Sequence, residues 1–351
     1  MPAVRVAING FGRIGRTAFI IALDKYSKDI EIVAVNDLSD AKTLAHLLKY
    51  DSNYGLWKHD IRSDGKGIII DQKAYEVFNE KEPQNLPWKS LNIDVVIECT
   101  GKFTDEEGAG LHLKAGAKRV VISAPVAGHS TSEESKPTSE VSIPTYILGV
   151  NGTKYAGEEI INNASCTTNC IAPVAQVMEI KFGVLKAMMT TIHSYTADQN
   201  LQDGPHKDLR RARAAAENIV PTTTGAAIAT TETIPALKGL FDGVAIRVPT
   251  PVGSLSDFTF LIKRKATVEE INNAFKEVAK NPAFSNILAV TEDPIVSSDI
   301  IGRPESAIVD LNLTQVVDGD MVKVFAWYDN EYGYSNRLIE QVINVGKSLG
   351  S

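Results

Sequence analysis

The sequence is poor in cysteine, in net positive charge and in long hydrophobic runs. Its 351 residues include three cysteines, Cys99, Cys166 and Cys170, which are too few for a disulfide framework and suit a reducing compartment. No segment approaches the roughly 18 consecutive apolar residues of a membrane-spanning helix. The N-terminus has neither the leading basic region nor the small-residue cleavage site of a secretion signal. These absences exclude a disulfide-stapled or membrane-spanning protein, and we expect a cytoplasmic one.

Positive charge is in deficit, with 36 Lys and Arg residues against 43 Asp and Glu residues and a net charge of −7. Proteins that bind nucleic acids usually present a basic face, so the composition argues against a nucleic-acid partner. Hydrophobic residues make up 44% of the chain and charged residues 23%, which is typical of a folded globular protein. The length favours about two domains.

Short apolar runs alternate with helical patterns in the first half of the chain. Because these runs are apolar on both faces, they are typical of parallel strands that helices cover on two sides. We therefore predict an α/β domain with a doubly wound, Rossmann-type parallel sheet over residues 1–165. The predicted strands are residues 4–8, 31–35, 95–100, 119–125 and 146–150.

The second half carries hairpin signals and fewer crossovers. Asp318 and Gly319 separate two strand-like runs and predict a tight hairpin. We predict an α+β catalytic domain over residues 166–334, with a mixed or antiparallel sheet. The last helical run, residues 335–349, is expected to join the first domain.

One segment, residues 128–144, is rich in serine and charge and poor in apolar residues. Such a composition is typical of a solvated surface excursion, because it offers little to bury. A partner-binding or regulatory loop is the alternative interpretation, and nothing in the sequence favours it.

A Gly-x-Gly-x-x-Gly pattern follows the first predicted strand and precedes a helical pattern. Gly10 permits a tight turn, Gly12 lets the backbone approach a pyrophosphate, and Gly15 lets the helix pack on the strand. The helix N-terminus, which includes Arg13 and Ile14, supplies unpaired N–H groups and a partial positive charge. In this context the pattern predicts a dinucleotide site.

The second predicted strand ends in Asn36 and Asp37. An acid about 20 residues beyond the glycine pattern is where a ribose diol is bound, and Asp37 occupies that place. Its charge would repel a 2′-phosphate, which favours NAD over NADP as the cofactor. The alternative is that Asp37 only caps a turn. Thr100 and Ser123 end two further strands, where the cofactor contacts of such sheets collect.

The stretch SCTTNC places Cys166 before a helical run. A thiol at a helix N-terminus has a lowered pKa, because the thiolate meets the positive end of the dipole, so Cys166 is a candidate nucleophile. A metal site is a poor alternative, since Cys166 and Cys170 have no partner pair of Cys or His at zinc spacing. His193, in a strand-like stretch, is a candidate base, although a lone histidine in an apolar strand is more often a core residue. Periodicity alone does not bring Cys166 and His193 together.

Six motifs occur in order along the chain and resemble those of phosphorylating glyceraldehyde-3-phosphate dehydrogenases. The likeness covers nearly the whole chain. It implies an NAD-dependent, glycolytic oxidation of glyceraldehyde 3-phosphate that consumes inorganic phosphate, carried out by a homotetramer. The motifs are INGFGRIGR, SCTTNC, HSYT, PTTTGAA, RVPTPVGS and WYDNEYGYSNR.

The resemblance also implies roles for individual residues. Cys166 would be the nucleophile that forms a thioester, and His193 the general acid and base. Asn330 would bind the nicotinamide carboxamide, with Tyr334 packed near that ring. Two anion sites would hold the substrate phosphate and the attacking phosphate. Their matching residues are Ser165, Thr167, Thr196, Thr224, Gly225 and Arg247, with Asp198 and Arg210 or Arg211 matched less directly.

The sequence departs from the family pattern most clearly in the longer 128–144 segment. Three alternatives stay open. The first is an erythrose-4-phosphate dehydrogenase, which releases a free acid. The second is an NADP-preferring variant, which Asp37 disfavours. The third is a binding protein with a second role on the same scaffold, although the presence of Cys166, His193 and Arg247 together argues against lost catalysis.

Overall fold

The computed structural model describes residues 2–126 and 143–350. Residues 128–142 of the polar segment therefore lie outside the described residues. Within the described residues, the first half of the chain forms one large sheet, a small hairpin and three α-helices. These elements are β1 (Val4–Asn9), α1 (Arg13–Tyr26), β2 (Ile30–Asn36), α2 (Ala41–Lys49), β3 (Tyr50–Asp51), β4 (Gly55–Leu56), β5 (Ile61–Ser63), β6 (Gly67–Ile70), β7 (Lys73–Phe78), β8 (Val95–Glu98), α3 (Glu106–Lys114), β9 (Arg119–Ile122) and β10 (Ile160–Asn162).

Within the described residues, the first sheet has the strand order β10-β9-β8-β1-β2-β7-β6-β5. Strands β10 to β7 pair in parallel, and β7, β6 and β5 pair antiparallel. Ala7 and Ile8 point to opposite faces of β1, yet both are fully buried, in separate hydrophobic clusters. Burial on both faces confirms the predicted doubly wound α/β sheet.

One predicted strand, residues 146–150, is wrong. The chain there makes a turn in which the carbonyl of Ile147 accepts hydrogen bonds from three following N–H groups. Asn151 closes the turn, because its side chain accepts from the N–H of Ile147 and donates to the carbonyl of Thr145. Gly149 supplies a φ of 81°, which other residues rarely adopt. The edge strand of the sheet is β10 instead, and the apolar run forms a loop in which Tyr146 and Ile147 are buried.

The second half of the chain forms a mixed sheet with helices against it. Its elements are α4 (Cys166–Phe182), β11 (Val184–Ser194), β12 (Val220–Thr222), α5 (Ala226–Thr233), β13 (Phe241–Val248), β14 (Ser254–Ile262), α6 (Val268–Ala279), β15 (Leu288–Thr291), β16 (Ala307–Asp310), β17 (Gln315–Val317), β18 (Met321–Tyr328) and α7 (Tyr332–Lys347).

The second sheet has the order β12-β13-β11-β14-β18-β16-β15, with β17 paired on β18, among the described residues. Strands β11 and β13 are parallel, as are β15 and β16, whereas the other pairs are antiparallel. The predicted mixed sheet is therefore confirmed. The predicted hairpin joins β17 to β18, and both Asp318 and Gly319 have positive φ there.

Two helices bring the halves together. Helix α4 starts at Cys166, and the Ser165 hydroxyl accepts the N–H of Thr168, which caps the helix. Helix α7 returns to the first sheet, where a Cβ on Gly346 would lie 2.2 Å from a methyl carbon of Val4. In the part of the chain that the structure describes, no helix combines the length and apolar character needed to cross a bilayer.

Candidate active site

The thiol of Cys166 and the imidazole of His193 meet between α4 and β11. The Sγ atom of Cys166 lies 3.4 Å from Nε2 of His193. Cys166 is the first residue of α4, and His193 is next to last in β11. The structure thus brings together the candidate nucleophile and the candidate base, which periodicity alone does not do. A nucleophile and a base within hydrogen-bond reach are what thiol activation requires.

The protonation states of this pair differ from the prediction of a lowered thiol pKa. Burial raises the pKa of the Cys166 thiol, and the positive charge of Arg247 offsets only part of that rise. Burial, assisted by Arg247, lowers the pKa of His193 to about 3. Both shifts favour the neutral forms of the Cys166 thiol and the His193 imidazole. From that state the thiol is activated when its proton passes from sulfur to Nε2 of His193.

The second ring nitrogen of His193 decides whether Nε2 can accept that proton. Nδ1 lies 2.7 Å from the carbonyl oxygen of Ser194 and 2.8 Å from Nη1 of Arg247. If Nδ1 carries hydrogen and donates to Ser194, Nε2 presents its lone pair to Cys166. If Nδ1 accepts from Arg247, Nε2 carries the hydrogen. The base role therefore requires the first tautomer.

A cluster of cationic and hydroxyl groups surrounds the far side of His193. Nη1 of Arg247 donates to the Thr196 hydroxyl at 3.2 Å and to the Ser194 carbonyl at 3.1 Å. Its Nε is buried and has no partner within the described residues. A guanidinium edge without a protein acceptor, beside a hydroxyl, suits a phosphate group.

Asp198 closes this cluster on its outer side. The Thr196 hydroxyl and the Arg211 guanidinium both donate to its carboxylate. Burial alone would raise the pKa of Asp198. The hydrogen bond from Thr196 and the charges of Arg247 and Arg211 lower this pKa by more than burial raises it, so the net shift is downward. Of the two arginines left open by the sequence, Arg211 joins the cluster, whereas Arg210 is exposed.

The remaining predicted phosphate residues lie at two helix starts. Thr167 is buried, and its hydroxyl lies 3.0 Å from the hydroxyl of Tyr328. Ser165 caps α4. Thr224 and Gly225 precede α5, and the Thr224 hydroxyl accepts the N–H of Ala226. The structure places Ser165, Thr167 and Arg247 around the thiol–imidazole pair, and it places Thr224 and Gly225 at the N-terminus of α5.

Tyr328 is a site residue that the sequence analysis missed. Its hydroxyl lies between those of Thr167 and Thr191, at 3.0 and 2.8 Å, and its ring packs edge-on against His193. It belongs to the WYDNEYG motif, so that motif was the available signal. Cys170, by contrast, is buried one turn beyond Cys166 and faces the carbonyl of Ala326, in keeping with its structural interpretation.

A second part of the site is a cavity of about 460 Å³ at the carboxyl ends of β1, β2 and β8. Gly10, Gly12, Asn36, Asp37 and Thr100 all line it, as the dinucleotide prediction expects. This edge of an open parallel sheet is where such folds bind ligands.

The three glycines of the pattern lie in two kinds of surroundings. Gly10 and Gly15 pack closely against other backbone atoms, whereas Gly12 faces open space. Gly10 has φ of 92°, and a Cβ there would lie 2.7 Å from the N atom of Thr100. A Cβ on Gly15 would lie 2.2 Å from the carbonyl oxygen of Gly10. A Cβ on Gly12 would meet no described atom within 4 Å, so the backbone before α1 faces open space. This arrangement fits a pyrophosphate at the start of α1.

Arg13 and Ile14 follow in the first turn of α1. The guanidinium of Arg13 binds the carboxylates of Asp51 and Glu331. Burial lowers the pKa of Arg13, but hydrogen bonds and charges from Glu331 and Asp51 raise it more. Since its side chain is held by these acids, the backbone N–H groups of Arg13 and Ile14 are the parts available to a pyrophosphate.

Asp37 is held by the backbone and lines the cavity. One carboxylate oxygen accepts the N–H of Phe11 at 2.8 Å, and the other accepts the N–H of Ser39 at 2.9 Å. Asp37 therefore does cap a turn, as the alternative interpretation predicts. Carboxylate oxygens have further lone pairs, so the same group can accept from a ribose diol.

Asn330 is oriented by two donors. Its Oδ1 accepts the N–H of Gly253 and the hydroxyl of Ser254, both at 3.0 Å. The amide N–H₂ group is thereby turned away from them and left to donate. Ser123 and Tyr334 form a separate contact, with their hydroxyls 3.0 Å apart. Asn330, Ser123 and Tyr334 do not line the cavity formed by the described residues.

Other residues of the cavity were not predicted. The most informative is Asn9, the last residue of β1, which stands directly before the glycine pattern. Its position at a strand end was the signal that could have identified it. The unpredicted lining residues include Asn9, Leu38, Lys81, Cys99, Lys102 and Phe103.

Comparison with known proteins covers both halves of the chain. A family model described as glyceraldehyde 3-phosphate dehydrogenase, NAD binding domain, matches residues 4–106, and one described as the C-terminal domain of that enzyme matches residues 165–330. The chain is 51% identical over 348 residues to glyceraldehyde-3-phosphate dehydrogenase 2 of Streptomyces avermitilis. It is 52% identical over 354 residues to glyceraldehyde-3-phosphate dehydrogenase of Mycobacterium avium. Each alignment covers 99% of both chains.

Proposed function

The chain belongs to the glyceraldehyde 3-phosphate dehydrogenase family, and from that premise we propose how its own residues carry out the phosphorylating oxidation of glyceraldehyde 3-phosphate. The protein is a glycolytic oxidoreductase that depends on NAD. The observation that carries the proposal is the 3.4 Å approach of the Cys166 thiol to His193.

Cys166 attacks the aldehyde carbon while its proton passes to Nε2 of His193. The alkoxide that forms takes this proton back, which gives a thiohemiacetal. NAD, when bound, supplies the hydride acceptor for the oxidation of this carbon. His193 removes the hydroxyl proton in the same step, and the carbon becomes a thioester of Cys166.

Inorganic phosphate then attacks the thioester carbonyl and the sulfur of Cys166 leaves, which gives 1,3-bisphosphoglycerate. A thiolate leaves more readily than an alkoxide, so cysteine suits this position better than serine. Arg247, whose Nε has no described partner, is assigned to phosphate binding with Thr196. Ser165, Thr167, Thr224 and Gly225 are assigned to the same two anion sites.

NAD is assigned to the cavity and the adjoining thiol–imidazole site. The glycine pattern with Arg13 and Ile14 would hold the pyrophosphate through backbone N–H groups, and Asp37 would accept from the adenosine ribose. Asn330 would donate to the nicotinamide carboxamide, because its Oδ1 is already occupied. Asn36, Thr100, Ser123 and Tyr334 complete the proposed cofactor contacts.

The wider organisation stays a prediction. We keep the division into residues 1–165, with 335–349, and 166–334, and the expectation of a cytoplasmic homotetramer. Self-association is supported by the outer face of the second sheet, where Met188 and Val244 are 59% and 48% exposed. Large exposed apolar groups on one sheet face mark a contact surface.

The proposal is tested by following NADH formation from glyceraldehyde 3-phosphate and NAD with and without inorganic phosphate. We expect phosphate-dependent turnover that Cys166→Ser abolishes. Cys170→Ser is the matched control, since that thiol is buried away from His193, and it should retain turnover. Turnover that does not depend on phosphate would instead support a hydrolysing relative such as an erythrose-4-phosphate dehydrogenase. The absence of any turnover would favour a binding protein.

A further inference from the structure

Beneath the nucleotide cavity lies a chain of buried polar side chains, of which the proposed function uses only Asn36. It comprises Trp88, His112, Glu98, Asn9 and Asn36, here called the Glu98 network. All five residues are at most 4% exposed. Asn9 and Asn36 also line the cavity, so one end of the network forms part of its wall.

The donor and acceptor at every link follow from chemistry. An indole N–H can only donate, so Trp88 donates to Nδ1 of His112 at 3.1 Å. The imidazole Nδ1 is therefore unprotonated and Nε2 carries the hydrogen. Nε2–H then donates to a carboxylate oxygen of Glu98 at 3.0 Å. Trp88 thus selects the His112 tautomer that carries its hydrogen on Nε2.

The opposite end is set by the backbone of Glu80. Its N–H donates to Oδ1 of Asn36, and its carbonyl accepts from Nδ2 of the same residue. Nδ2 of Asn36 also donates to Oδ1 of Asn9, at 2.7 Å. The remaining amide group of Asn9 donates to Glu98 at 2.6 Å. Donors from both ends therefore converge on the Glu98 carboxylate.

The second carboxylate oxygen of Glu98 holds the loop after β8. It accepts the backbone N–H of Thr100 at 2.7 Å and also the Thr100 hydroxyl. Among the described residues, no Lys or Arg forms an ion pair with Glu98. Its carboxylate instead accepts four hydrogen bonds, from the Asn9 amide, the Thr100 N–H, the Thr100 hydroxyl and the His112 ring. Both oxygens of the carboxylate are thereby held in place by N–H and O–H donors.

We propose that Glu98 is a positioning residue for the cofactor, acting through Asn9, Asn36 and Thr100 on the cavity wall. The carboxylate fixes the side-chain directions of the two asparagines and the conformation of the Thr100 loop before NAD arrives. His112 and Trp88 act behind it by holding the carboxylate in place. This inference rests on the proposed cofactor site and adds the residues that pre-organise it.

Three variants of the full-length protein test the proposal. Glu98→Gln places an amide N–H₂ group among donors, His112→Leu removes the donor to Glu98, and His112→Gln retains a donor there. Trp327→Phe is the matched control, because that indole also donates to a buried carboxylate, Asp310, but in the second sheet. Calorimetry measures the Kd of NAD and of ADP-ribose, and thermal melting verifies folding.

We expect Glu98→Gln and His112→Leu to raise the Kd of both ligands about tenfold or more, the scale of one unsatisfied buried hydrogen bond. His112→Gln should recover most of the affinity. Turnover at saturating NAD should stay near that of the wild type, because the change is in binding. Trp327→Phe should leave both Kd values unchanged.

Other outcomes overturn the proposal. If the folded Glu98 and His112 variants bound NAD as tightly as the wild type, the positioning role would be refuted and the proposed function would stand. The same holds if Trp327→Phe lowered the affinity for NAD as much as those variants do. Wild-type protein that fails to bind NAD would refute the proposed function and this inference together. Nitrogen-15 NMR of the cofactor-free protein adds a direct reading. A protonated Nδ1 in His112 would contradict the assigned hydrogen-bond directions.

Discussion

Arg13 and Glu331 stand 318 positions apart in the chain and form a two-point ion pair. The same guanidinium contacts Asp51 at 2.5 Å. Glu331 follows Asn330 directly, so this cation joins the glycine loop to the residue assigned to the nicotinamide carboxamide. One side chain thereby links the two ends of the proposed cofactor site.

Arg13→Met should destabilise the fold by about 2 kcal/mol, because it leaves two largely buried carboxylates without their cation. The loss is below that of a fully buried pair, since the Arg13 side chain is 32% exposed. Denaturant unfolding measures it. Arg213→Met is the control. Both side chains of its pair with Asp203 are more than half exposed, so water screens their attraction and the loss of stability should be much smaller. Equal losses in the two variants would contradict the special role of Arg13.

The buried His193 should make stability fall with acidification. Its folded pKa of about 3 lies below the ordinary value of 6.5, so the unfolded chain binds more protons between these two values. Stability from this group is present above about pH 6.5 and is lost as the pH falls toward 3. Between pH 7 and pH 5, the unfolding free energy should fall by about 2 kcal/mol less in His193→Asn than in the wild type. If the unfolding free energy of His193→Asn changed with pH as much as that of the wild type, the assignment would be refuted.

Arg247→Lys should lower kcat/KM for glyceraldehyde 3-phosphate by about 100-fold, because lysine loses the planar fork that a phosphate requires. Steady-state kinetics with varied substrate and varied phosphate measure this and show which anion site depends on the arginine. Arg210→Lys is the control and should stay within about twofold of the wild type. A larger effect at Arg210 than at Arg247 would overturn the assignment of the cluster.

Asp37→Ala should lower the affinity for NAD about tenfold, because it removes a hydrogen-bond acceptor for the ribose. It should also reduce the ratio of NAD affinity to NADP affinity, because it removes a charge that repels a 2′-phosphate. Equilibrium binding of the two nucleotides measures the ratio. Asp40→Ala removes a nearby carboxylate that caps α2. It should lower the stability of the fold by removing that cap and leave the ratio unchanged. An unchanged ratio in Asp37→Ala would leave turn capping as the role of that residue.

Local signals predicted the fold where the determinants are neighbours in sequence. Asp318 and Gly319 adopt positive φ at adjacent positions, which is a property of those residue types. The glycine pattern is local only in part: a Cβ on Gly15 would meet the carbonyl oxygen of Gly10, whereas a Cβ on Gly10 would meet Thr100 of a distant segment. The strand predicted at 146–150 failed, because the turn there is closed by the side chain of Asn151, which an apolar count does not register.

The site was predicted only as far as single positions allow. Cys166 and His193 are each plausible alone, but their contact depends on how α4 packs against β11. The lowered thiol pKa failed because burial, a tertiary property, outweighs the effect of the helix terminus. His112 reaches Glu98 from a different element, and no spacing in the sequence indicates that α3 lies beneath the cavity.

The return of α7 to the first sheet has a consequence for biosynthesis. Leu338, Val342 and Val345 complete the hydrophobic cluster that contains Val6 and Ile8 of β1. Helix α7 is synthesised after β1 and after the whole second sheet, so the part of the first sheet that α7 covers stays exposed in the nascent chain until α7 has been made. A prematurely terminated chain would expose that part of the sheet permanently, and the cell would meet it as a substrate for chaperones and proteases.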